Sequence, residues 1–170
     1  MKILKPFYYD HFQCIANKCI DSCCIGWKVD IDKKSYKKYK KVKGEFSKKI
    51  NESIVRNRSA NIDLQYGKMK FNNNRCKMLN EDNLCNLYIT LGEKYLCNTC
   101  KMYPREIHKY EEIYERNLSM SCPEVARYIV KRKEKFSFNM EEETLSDLDK
   151  AYIFNNKKDE NLYNLLWESR

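Results

Sequence analysis

From Cys24 to Asp32 apolar and polar positions alternate, with Trp27, Val29 and Ile31 on one side and Lys28, Asp30 and Asp32 on the other. The period of two predicts a half-buried strand. Asp32 can then N-cap a helix running to about Val42 and closed by Gly44. A second helix over 45–57 would bury Phe46, Ile50 and Ile54. Ile62, Leu64 and Tyr66 alternate before Gly67, and Met69 and Phe71 after it, which predicts a hairpin leading into Asn72-Asn73-Asn74. Further on, Leu84, Leu87, Tyr88 and Leu91 share one face of a helix over 83–91 stopped by Gly92. Segments 106–110 and 113–120 pair as another hairpin. Cys122-Pro123-Glu124 opens a helix through about Lys131, with proline at the first helical position and Glu124 beside the positive end of the dipole. Residues 141–154 and 159–167 read as two more helices. The fold class expected is α+β, small and largely helical, with short hairpins.

Composition narrows the architecture. The chain has 170 residues, 42% of them hydrophobic, with four glycines and three prolines that do not cluster. That supports one modest core and no flexible linker, hence a single domain over 1–170. Within it the motifs occupy 7–130, and 131–170 forms a helical C-terminal segment, read as cut from a longer enzyme because it stops just after an apolar helix. The first residues lack the apolar stretch of about seven to fifteen residues that a signal peptide needs, and no window approaches about 18 apolar residues. The expected location is the cytoplasm, with no membrane partner.

Charge changes the picture less. The net charge is +9, and seven lysines fall between Lys33 and Lys43. Such a run can meet nucleic acid or an acidic surface. Tyr36 and Tyr39 recur inside it at helical spacing, however, so the lysines read as the wet face of an amphipathic helix.

The chemistry lies in nine cysteines, Cys14, Cys19, Cys23 and Cys24 near the start and Cys76, Cys85, Cys97, Cys100 and Cys122 further on. Thiolates are soft ligands that suit Zn2+ or an iron-sulfur cluster, and a reducing compartment disfavours disulfides. Cys97-Asn-Thr-Cys100 has the spacing of a metal knuckle, in which two sulfurs face one ion and backbone N–H groups point at the thiolates. Nine thiolates permit two zinc ions, or one [4Fe-4S] cluster with additional structural thiols. His11 and His108 are secondary ligand candidates. Tyr103, Arg105 and Glu124 are the polar residues attached to the cysteine motifs. Arg105 could grip an anionic group or pair with thiolate charge, and Glu124 could act as a base or cap its helix. No two glycines are close enough for the phosphate-binding turn of a doubly wound methyltransferase. Nor does Cys19-x3-Cys23-Cys24 match the Cys-x3-Cys-x2-Cys spacing of a cluster with one open iron.

The ordered set Cys14-x4-Cys19-x3-Cys23-Cys24-x-Gly26-Trp27, Cys76-x2-Leu79, Leu84-Cys85-x2-Tyr88, Leu96-Cys97-x-Thr99-Cys100-x2-Tyr103-Pro104-Arg105 and Ser121-Cys122-Pro123-Glu124 resembles the flagellin lysine N-methylase family. That family looks like a branch of a broader group of zinc- or iron-chelating proteins marked by a CxxCxxCC motif. The resemblance implies methyl transfer from S-adenosylmethionine to lysine side chains of flagellin, with the cysteines as metal or iron-sulfur ligands. Members are generally much longer, which implies that this chain is the cysteine-bearing portion. Two alternatives remain open on the residues themselves: a non-enzymatic zinc module that binds a partner protein, and a basic nucleic-acid-binding zinc protein that rests on the lysine run alone.

Overall fold

A computed structural model describes residues 1–133 and 135–155. In chain order the elements are β1 (Lys2–Pro6), β2 (Asp30–Ile31), α1 (Lys33–Tyr39), α2 (Glu45–Ser53), β3 (Ile54–Arg56), β4 (Gly67–Met69), β5 (Phe71–Asn72), β6 (Arg75–Cys76), α3 (Asn86–Leu91) and α4 (Asn98–Met102). They continue with β7 (Arg105–Tyr110), β8 (Ile113–Leu118), α5 (Pro123–Val130), β9 (Phe138–Glu142), α6 (Asp147–Ala151) and β10 (Ile153–Asn155). The chain divides into two compact units: Met1–Cys14 with the described residues from Pro104 onward, and Ile15–Tyr103.

The first unit is built on a five-stranded sheet ordered β10-β7-β8-β1-β9. Its spine is the expected hairpin, with β7 and β8 antiparallel from Arg105↔Leu118 to Tyr110↔Ile113 and Glu111 at positive φ in the turn. β1 lies parallel to β8 and antiparallel to β9. Ile3, Ile107 and Leu145 form a buried cluster, with Tyr114 and Ile153 packed on it. Lys5 is buried in the same sheet, and its ammonium meets Asp10 at 2.8 Å, Glu141 at 2.7 Å and Glu143 at 3.0 Å. These partners explain one departure from the sequence reading. The acidic run expected to be helical over 141–154 begins as strand β9, because the period of two places Glu141 and Glu143 together against Lys5. Only the short α6 is helical, held by a capping box between Ser146 and Asp149. The expected helix over 159–167 lies outside the described residues.

The second unit carries a three-stranded sheet ordered β2-β4-β3, the ribbon β5-β6 and four short helices. Its core joins Val29, Ile31, Tyr39, Ile50, Ile54, Met69, Cys76, Met78, Leu87 and Cys97, with Cys24, Cys85 and Cys100 packed against it. Asp32 caps α1 as expected, its carboxylate accepting from Ser35 N. Helix α2 is shorter than expected. The β-branched pair Ile54-Val55 leaves it to pair with β4. No hairpin turns at Gly67. Asp63–Gln65 is a 3₁₀ turn, and Gly67 begins the central strand, where the ring of Tyr36 occupies the space a side chain would need. The tight turn falls instead at Asn73 and Asn74, both at positive φ between β5 and β6. Helix α3 starts three residues late, after Asn83 at positive φ, and Tyr88 is exposed rather than on its buried face. With ten strands and no helix above nine residues among those described, the fold is mixed α+β and not largely helical. Short cysteine-bearing segments place thiols through turns and bridges, leaving little chain for long helices.

Candidate metal centre

Six of the nine cysteines converge in the second unit. The segment around Cys23 and Cys24 is carried to the second cysteine set by backbone pairing: Cys76 N donates to Cys24 O at 2.8 Å, and Ile25 bridges Arg75. Leu79 bridges Cys85, and Asn86 N donates to Met78 O at 2.7 Å, which seats the start of α3 on the loop after Cys76. Cys97 and Cys100, read from their spacing as a metal knuckle, lie at the start of α4 with the two sulfurs 3.6 Å apart and sharing a hydrogen bond. Thr99 Oγ1 donates to Asp30 O at 2.8 Å, and Trp27 Nε1 donates to Cys23 O at 2.6 Å while its ring packs 5.5 Å from that of Tyr103. Trp27 is thus an internal anchor between the Cys23 segment and the end of the knuckle helix.

The electrostatics are those of crowded thiols. Cys23 and Cys24 share a hydrogen bond that draws Cys23 down to about 7 and pushes Cys24 far up. In the same way the Cys97–Cys100 bond lowers Cys97 and raises Cys100, so Cys97 ionises first. Burial lifts Cys76 to about 11 and also raises Cys85. Against that, the N–H groups of Met78 and Leu79 favour the thiolate of Cys76, and those of Leu87 and Tyr88 favour that of Cys85. The buried hydroxyl of Tyr39 has no hydrogen-bond partner among the described residues, and burial, with the thiols of Cys97 and Cys100, pushes its pKa up.

None of the nine cysteines is in a disulfide, and among the described residues no three Cys, His, Asp or Glu side chains already form a group that could hold a metal ion. Cys97 pairs with Cys100 and Cys23 with Cys24. The donor set nonetheless suits a thiophilic centre. Two thiolates sharing a tetrahedral zinc with bonds of about 2.3 Å lie about 3.8 Å apart, close to the Cys97–Cys100 separation.

The other candidates are placed elsewhere. Cys19, half-buried at the close of a 3₁₀ turn, stands outside the thiol-bearing core. Cys14 is exposed and Cys122 is buried as the N-cap of α5, both in the sheet unit. Arg105 lies there too, its guanidinium 5.9 Å from the rings of Tyr9 and Phe12. Glu124 accepts from Arg127 Nε at 2.6 Å and from Arg127 Nη2, and that pairing holds its carboxyl below the usual range. His108 stacks on Phe154 at 5.1 Å and approaches Glu106, while His11 is exposed. Sequence reasoning missed Tyr39 and the second role of Asp32, which also accepts from Asn98 N at 3.0 Å. Tyr39 carried a signal only as an apolar position of α1.

The chain is a mixed α+β, cysteine-rich protein with thiols packed into the core of one unit and one sulfur pair, Cys97 and Cys100, 3.6 Å apart. Comparison with known proteins gives the narrower class. The chain is 35% identical over 131 residues to the flagellar biosynthetic protein FliU of Salmonella muenchen, covering 75% of this chain and 76% of that protein. It is 35% and 34% identical over 130 residues to the lysine-N-methylases of Salmonella choleraesuis and Salmonella typhimurium. The chain belongs to the flagellin lysine N-methylase family. The matched region spans 32% of each of those two methylases. No family model and no solved structure matches. Among the described residues no helix is long and apolar enough to cross a membrane.

Proposed function

We propose that this chain is the thiol-bearing portion of a protein-lysine N-methylase that acts on flagellin, with S-adenosylmethionine as methyl donor and a zinc or iron-sulfur centre held by Cys23, Cys24, Cys76, Cys85, Cys97 and Cys100. The convergence of those six thiols, in a chain 34–35% identical to lysine-N-methylases, carries the reading. When bound, the metal cross-links four chain segments that a small core holds weakly by itself and offsets the repulsion of adjacent thiolates.

The reaction fits the requirements of the family. A neutral lysine nitrogen attacks the methyl carbon of the sulfonium. The C–S bond breaks with its electrons going to sulfur, and the amine gives up a proton once the N–C bond forms. Glu124 is engaged by Arg127 and serves its helix start rather than that proton. The chain's own contribution is to fix the thiols: Trp27 ties the Cys23 segment, and backbone N–H groups favour the thiolates of Cys76 and Cys85.

The test is methyl transfer with anaerobically purified protein, flagellin and S-adenosylmethionine, read as methyl-lysine by mass spectrometry. Methylation by the wild type and none by the Cys97→Ser/Cys100→Ser variant is expected. A metal-loaded wild type that leaves flagellin unmethylated but co-sediments with it would replace this reading by the partner-binding zinc module.

A further inference from the structure

Asp32 is a buried carboxylate, 5% exposed, with no cation paired to it among the ion pairs of the described residues. Its charge is met by backbone amides. Oδ1 accepts from Ser35 N at 2.8 Å, the N-cap bond of α1, and Oδ2 accepts from Asn98 N at 3.0 Å. Asn98 follows Cys97 directly and is the first residue of α4. Cys97 is the N-cap of that helix, yet its side chain makes no cap bond, so a remote carboxylate does the capping. The same strand end supplies two more contacts: Thr99 Oγ1 donates to Asp30 O at 2.8 Å, and Cys97 Sγ lies 3.7 Å from that oxygen. Helix α1, capped by the other carboxylate oxygen, carries Tyr39 into the same buried core as Cys97.

We propose that Asp32 is the positioning residue of the Cys97–Cys100 pair: one carboxylate caps α1 and α4 at once and so fixes the backbone of the Cys97-x2-Cys100 turn, and with it the two sulfurs, against α1. The role rests on the metal-centre reading above. It follows from geometry. Each short helix leaves its first N–H groups unpaired, and neither has a second capping side chain. Charge-assisted bonds to two helices from one rigid group restrict where the thiolates point, which is what an outer contact contributes to a metal site.

The experiment loads the full chain with Co2+ and measures affinity by competition with a chelator, together with the thiolate-to-cobalt absorption band, for wild type, Asp32→Ala, Asp32→Asn and Ile50→Val. Ile50→Val lowers stability by an amount comparable to loss of one cap while leaving every thiol and Asp32 in place. Asp32→Ala should bind roughly 10–100-fold more weakly with an altered band. Asp32→Asn keeps the shape but only one acceptor, turns an NH2 toward the other amide, and should also lose affinity. Ile50→Val should stay within about twofold with the wild-type band, because it removes neither a thiol nor a helix cap. Asp32 variants no weaker than Ile50→Val, with an unchanged band, would overturn the positioning role while leaving the centre intact. A wild type that binds no cobalt through its thiols would overturn the metal reading and the role together.

Discussion

Replacing Gly67 by alanine should destabilise the thiol-bearing unit by about 2 kcal/mol. The Cβ atom would sit 2.3 Å and 2.8 Å from Cδ2 and Cε2 of Tyr36 and 3.1 Å from the Val55 carbonyl oxygen. The carbonyl belongs to the β3–β4 ladder and cannot retreat without breaking it, so the tyrosine ring must swing. That motion gives up the edge contact of Tyr36 with Tyr66, at 5.5 Å between centroids, worth about 0.5–1.5 kcal/mol. Overpacking of this kind costs about 1–3 kcal/mol. The opposing term is the lower unfolded-state entropy of alanine, about 0.4–1 kcal/mol. For a unit of this size the net loss lowers Tm by roughly 10 °C. Urea titration of wild type, Gly67→Ala, Tyr36→Ala and the double variant isolates the cause, because removing the ring should make Gly67→Ala neutral or mildly stabilising. A cost below about 0.5 kcal/mol, or the same cost in the Tyr36→Ala background, would refute the close-approach argument.

Three further outcomes follow from the two units. Lys5→Met should cost the sheet unit about 2 kcal/mol by urea titration, since it removes the cation shared by three carboxylates; Glu143 keeps Arg116, and Asp10 and Glu141 are exposed enough to recover part of the loss in water. The same cage sets a pH profile. Glu143 is held below its usual 4.5 by its bond to Lys5, so its contribution is present above 4.5 and disappears as pH falls through the lower folded value. Lys5 is raised above its usual 10.5 by Asp10 and its other acids, so its contribution is complete below 10.5 and disappears only as pH rises through the higher folded value. Thermal melts should be flat between these limits and fall at both ends, and a Lys5→Met protein that keeps the same profile would contradict the assignment. Finally, Cys97→Ser/Cys100→Ser should melt at lower temperature than wild type, and chelator should lower the wild type toward the variant without changing the variant itself.

Part of the candidate site was legible because residue type and spacing mark local pairs and caps. The sulfurs of Cys97-x2-Cys100 lie together, Asp32 caps α1, and Cys122-Pro123-Glu124 opens α5. The β7–β8 hairpin was legible as two pairing segments, 106–110 and 113–120, on either side of Glu111-Glu112. What sequence could not give was long-range pairing. The acidic run at Glu141 has helical propensity, yet β9 forms because Lys5, more than a hundred residues away, binds alternate carboxylates. The break at Ile54 depends on β4 as a partner, and Gly67 looked like a turn because the need it meets is the ring of Tyr36. Likewise nothing local to Asn98 announces a cap supplied from Asp32.

The most direct test of the thiol-bound centre is analysis of zinc, iron and acid-labile sulfide, with an absorption spectrum, on one anaerobically purified sample of the wild type and of Cys97→Ser/Cys100→Ser. The account expects the wild type to hold zinc, or iron with matching sulfide, in whole-number ratio to protein, and the variant to lose it. A folded wild type that is free of both metals, with its thiols open to alkylation and its stability unchanged by chelator, would contradict it.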